Sequence, residues 1–97
     1  MARGKGPGGI TCAEAIRQVI SSEKITGRNL FERVREIGQG AWSEDHIWQE
    51  IMSRTVNLVP AYHHWERVKE RFLFQLEDGS YEAYSSARHG DRWKGYP

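Results

Sequence analysis

Residues 71–84 (Arg-Phe-Leu-Phe-Gln-Leu-Glu-Asp-Gly-Ser-Tyr-Glu-Ala-Tyr) carry two alternating runs on either side of an Asp-Gly pair. A period of two marks half-buried strands, and Asp-Gly supplies the positive φ that a tight hairpin turn needs. The stretch predicts an antiparallel β-hairpin. A two-residue loop at Asp78-Gly79 sets Leu76 opposite Tyr81, Gln75 opposite Glu82 and Phe74 opposite Ala83. Phe72, Phe74, Leu76, Tyr81 and Ala83 then form the buried face.

Upstream of the hairpin the period changes to 3.6. Thr11-Cys12-Ala13-Glu14 has the spacing of a capping box, in which the threonine hydroxyl and the glutamate carboxylate satisfy free amides at a helix start. From there a first helix runs to about Ser22, with Cys12, Ile16, Val19 and Ile20 on its core side. Lys24-Ile25-Thr26 is a short bridge in which Ile25 suits a stub of strand and Thr26 caps the second helix. That helix carries Leu30, Phe31, Val34 and Ile37 on one face and stops at Gly38. Ser43 caps a third helix over 43–54, where Glu44 and Asp45 complement the positive end of the dipole. Ile47, Trp48, Ile51 and Met52 form its buried stripe, so His46, Gln49, Glu50 and Ser53 face outward, with Asn57 joining them if the helix continues.

The segment Thr55 to Glu70 has no clean period. Pro60 either starts a short fourth helix lined by Tyr62, Trp65 and Val68 or sits in a long loop, and a loop with one helical turn is the better fit. With 97 residues, 38% hydrophobic and 28% charged, the chain has room for one modest core. The division follows: residues 1–9 a disordered Gly-rich basic arm, 10–85 the folded domain, 86–97 a polar tail. No apolar run is long enough to span a bilayer, and residues 1–9 have no hydrophobic segment of a secretory signal, so a cytoplasmic protein without membrane contact is expected. The single cysteine, Cys12, cannot close an intramolecular disulfide and reads as a small core residue rather than a nucleophile.

Three small helices followed by a C-terminal hairpin is the order of a winged helix-turn-helix, and α+β is the expected class. The Phe-Leu-Phe strand, the Asp-Gly turn, Tyr-Glu-Ala-Tyr and the stretch Ala87-Arg88-His89-Gly90 together resemble small winged-helix modules, including the HARE-type helix-turn-helix, associated with restriction endonucleases. The resemblance covers roughly Ile10 to Trp93. It implies double-stranded DNA as partner, helix 43–54 as recognition helix and 71–84 as wing.

On that reading Gln49 can offer a bidentate amide to adenine, and His46, Ser53 and Asn57 are short polar groups able to reach bases or phosphates. Arg28 and Asn29 stand at the start of the second helix, where phosphate is commonly met. Lys69 and Arg71 precede the first strand and Arg88 follows the second. Charge distribution opposes part of this picture. The net charge is +1, residues 41–65 hold one basic and three acidic side chains, and Glu77 and Asp78 make the wing tip acidic. The rival function is a protein-interaction or dimerisation module built on Trp93 and Tyr96, since exposed aromatic side chains make good interface anchors.

Catalysis and cofactors are not expected. The chain contains no Gly-rich phosphate loop opening a helix, no nucleophile elbow and no His-Glu-x-x-His. His63-His64 beside Trp65 would point apart in a strand or loop, with no further donor at a ligand-like spacing, so no metal centre is expected.

Overall fold

The computed structural model describes residues 5–57 and 71–90. Its first feature is a bridge between Lys5 and Thr11, spanning a 3-10 turn at Pro7–Gly9. Helix α1 (Cys12–Val19) starts at the expected capping box: Glu14 N–H donates to Thr11 Oγ1 at 3.2 Å, and Thr11 N–H to Glu14 Oε1 at 2.9 Å. It buries Cys12, Ala15 and Ile16.

α1 ends at Val19, short of Ser22, because the next residues join a sheet edge. Ile25 exchanges both backbone hydrogen bonds with Tyr81 at 2.8 Å, and Ala83 N–H donates to the Ser21 carbonyl at 2.8 Å. The strand stub expected at Ile25 is therefore present as an antiparallel bridge.

Thr26 caps α2 (Gly27–Gly38) by accepting from Asn29 N–H at 3.1 Å, and Leu30, Phe31 and Val34 are buried. Gly38 is the last residue of this helix, while Gln39 takes the left-handed conformation at φ 50°. The glycine answers a different need. A Cβ there would stand 2.4 Å from the Trp42 ring, so its absence lets that indole pack on the helix end.

Ser43 caps α3 (Glu44–Ser53) at 3.1 Å from His46 N–H. Ile47 and Ile51 are fully buried, and Trp48 is half-buried, stacked on Phe31 with centroids 4.9 Å apart. The outward face inferred by subtraction needs correction: Ser53 is fully buried and Glu50 only 7% exposed. A subtraction rule assumes one covered face, whereas α3 packs on both α1 and α2 and leads at its C-terminal end into a bridge with β1.

The hairpin forms from β1 (Leu73–Gln75) and β2 (Tyr81–Ala83). Its register is one residue from the expected one: Leu73 faces Ala83, Phe74 faces Glu82 and Gln75 faces Tyr81. The loop holds three residues, Glu77 to Gly79, closed by Leu76 N–H to the Ser80 carbonyl at 2.7 Å and Gly79 N–H to the Leu76 carbonyl at 2.9 Å. Gly79 supplies the positive φ, at 88°, after a turn that begins one residue earlier than a two-residue loop would. A slip of one residue reverses the faces. Leu73, not Phe74, is fully buried, and Phe72, Phe74 and Leu76 are half-buried.

The opposite face is covered as well. Helix α4 (Ser86–His89) lies in the stretch read as polar tail, and His89 stacks on Phe74 with centroids 4.0 Å apart. The described residues thus make an α+β fold of four helices and one antiparallel hairpin, in which no helix is long and apolar enough to cross a membrane. The core gathers Ile16, Leu30, Val34, Ile47, Ile51 and Leu73 where three helices meet the hairpin.

The register makes a measurable difference. Leu73→Ala should lower unfolding free energy in urea by about 2–5 kcal/mol, because a fully buried side chain leaves a cavity. Phe74→Ala should cost less, and the reverse ranking would restore the register expected from a two-residue loop.

Candidate nucleic-acid interface

The polar residues proposed for α3 separate into two groups. Gln49 and His46 stay half-buried at the surface, while Ser53 and Asn57 are absorbed into the fold. Asn57 Nδ2 donates to the Gln75 carbonyl at 2.8 Å, and Gln75 N–H donates to Asn57 Oδ1 at 2.9 Å. The amide thereby imitates a neighbouring strand at the end of β1 and spends both its groups on that strand. Glu50 Oε2 accepts from Arg54 Nε at 2.7 Å, a pairing that neutralises a buried carboxylate. His46 is directed toward Cys12 and Glu50, with the donor atoms of all three within 4.8 Å of one another.

The cations differ equally. Arg71 donates through Nη1 to the Ser53 carbonyl, tying the entry of β1 to the end of α3. Arg88 donates to the Ser22 carbonyl at 3.0 Å and approaches Glu82 to 3.3 Å. Both are structural ties across the fold. Lys69, like Trp93 and Tyr96, lies outside the described residues.

The start of α2 is exposed. Arg28 has a side chain 82% exposed, with only a loose 3.8 Å approach to Glu32, and Asn29 is exposed beside it. Sequence reading passed over Arg33, which is exposed one turn further along and lines a cleft of about 290 Å3 with Lys24, Asn29 and Ile25. The i, i+4 and i, i+5 positions of Asn29 and Arg28 relative to Arg33 were the available signal. Glu23 and Glu32 line the same cleft, so its charge is mixed.

The hairpin tip is pinned to this region. Lys24 Nζ reaches Asp78 Oδ2 at 2.8 Å, and Asp78 Oδ1 accepts from Ser80 N–H at 2.9 Å. The lysine and the Ser80 donors hold the Asp78 carboxyl well below the usual range, while Asp78 pushes Lys24 up. Burial, aided by Glu50 and opposed by Arg54, pushes the Cys12 thiol up to about 12. Burial thus favours the protonated thiol of Cys12 as long as nothing binds to it.

No family model, curated protein or solved structure matches the chain.

Asn57→Ala should destabilise the fold by about 1–3 kcal/mol, since it strands both backbone groups of Gln75. Chemical denaturation checks this, alongside duplex affinity under folding conditions. A loss of affinity without loss of stability would return Asn57 to a reading role.

Proposed function

We propose that the chain is a non-enzymatic winged helix-turn-helix module that holds double-stranded DNA through its phosphates rather than by reading bases with α3. The observation carrying the architecture is the Ile25–Tyr81 bridge. It gives the order helix, strand stub, helix, helix, hairpin, with the stub paired to the second hairpin strand. The step from that order to DNA rests on analogy of fold, because winged helices serve other ends too.

Support for phosphate contact comes from Arg28, Asn29 and Arg33 on the exposed side of α2. Helix N-termini of this kind combine free amide character with a favourable dipole for anions. Base reading has less to draw on. Ser53 is buried, Asn57 serves β1, Glu50 holds Arg54, and Glu44 and Asp45 stand exposed at the start of α3. Gln49 and His46 are the residues of the candidate set left at the surface of α3, and Gln49 is the one with a bidentate amide.

Those exposed acids also favour a second reading, in which the same fold binds a protein or a second copy of itself and Trp93 and Tyr96 supply the anchors.

Fluorescence anisotropy with mixed-sequence duplexes between about 50 and 200 mM salt separates the two. Under the DNA reading, Arg28→Ala and Arg33→Ala each weaken binding alike on all duplexes and lower the salt slope by about 1. Absence of binding at micromolar protein in low salt, together with a sedimenting complex lost in Trp93→Ala, would replace it with the interaction reading.

A further inference from the structure

At the junction of α1 and α3, three side chains of different chemistry meet. Cys12 Sγ, a ring nitrogen of His46 and a carboxylate oxygen of Glu50 all lie within 4.8 Å of one another. His46 and Glu50 share a face of α3 because they are four residues apart, and Cys12 is the first residue of α1, fixed beside them by the Thr11 capping box. Cys12 is 3% exposed and Glu50 7%, whereas His46 is half-buried. The trio is closed on the core side and open toward solvent at the imidazole.

We propose that Cys12, His46 and Glu50 form a binding site for a zinc-class divalent cation. The donor set selects the class: sulfur, nitrogen and oxygen together suit borderline-soft zinc, while calcium and magnesium take oxygen alone. Bonds of about 2.0–2.3 Å in a tetrahedral shell set donors about 3.3–3.7 Å apart, so the trio contracts by roughly 1 Å on binding. Three protein donors leave the fourth position to water or an outside ligand.

The surroundings fit this assignment. Arg54 Nε, 2.7 Å from Glu50 Oε2, fixes the carboxylate as hydrogen-bonded partners of ligating groups do. The Cys12 S–H bond breaks as the S–metal bond forms, and the proton leaves to solvent. Thiolate and carboxylate then match the two charges of the ion. The site stands independently of the DNA reading, since none of its three residues needs to face a duplex.

The test uses the full chain stripped of metal with a chelator and titrated with cobalt(II) as a spectroscopic stand-in, then with zinc in competition. One equivalent of cobalt should give tetrahedral ligand-field bands and a thiolate-to-metal charge-transfer band. Cys12→Ser should abolish the charge-transfer band, and His46→Ala and Glu50→Gln should each weaken zinc binding at least about ten-fold. Circular dichroism of the metal-free variants establishes that they fold, and His46→Ala, at a half-buried position, keeps the test decisive if the others do not. The double variant His63→Ala/His64→Ala should retain the band. A missing charge-transfer band, zinc affinity unchanged in His46→Ala, or loss of binding in the His63/His64 variant would each overturn the site.

Discussion

Two strands of three residues cannot persist alone in water, and the backbone bonds along both outer edges of this hairpin are what the remaining structure hangs on. β2 is bonded on its free edge to Ser21 and Ile25, in the connection between α1 and α2. β1 is bonded on its own free edge to Arg54 and Val56, just past α3, and finished by the Asn57 amide. Every helix end near the ribbon is consequently fixed by it. α1 stops early to release Ser21, α3 leads into a parallel bridge at Thr55, and Leu73 is delivered to the centre of the core. Among the described residues, both outer edges of the hairpin are thus occupied, which blunts its use as a template for strand addition.

The same arrangement limits what α3 can do. A helix that reads a groove needs one long side free, whereas α3 turns Ser53 into the interior and commits Glu50 to Arg54. α2 carries exposed cations at Arg28, Arg33 and Arg35, the last of which approaches Glu44 at the start of α3 to 3.9 Å.

Local signals in the sequence were legible because they involve neighbours along the chain. The Thr11, Thr26 and Ser43 caps, the apolar stripes of α1 and α2 and the existence of the hairpin all follow from residues within a turn or two of each other. What escaped reading depends on partners far away. The hairpin register turned on whether Glu77 belongs to the loop, and both registers put apolar residues on a covered face because α4 packs on the side expected to meet solvent. Arg71 and Asn57 looked free for a ligand until strand and helix ends claimed them. Of the candidate site, Arg28 and Asn29 kept the exposure assigned to them, while the meeting of Cys12 with His46 and Glu50 joins residues 34 or more positions apart and left no periodic trace.

Helix α4 changes where this domain can be cut. Ser85 N–H donates to His89 Nδ1 at 3.0 Å, so the imidazole presents its Nε2–H to Glu82, 2.5 Å away, and Arg88 reaches the other carboxylate oxygen. Glu82 is 3% exposed, and in the hairpin it faces Phe74. A truncation after residue 85, where composition suggests the fold ends, would remove both partners of that acid and uncover the Phe74 ring in one stroke. An unpartnered buried carboxylate is among the costlier defects a small fold can carry. Four residues resembling a polar tail are thus a lid on the ribbon, and a fragment lacking them would be prone to open its sheet and aggregate.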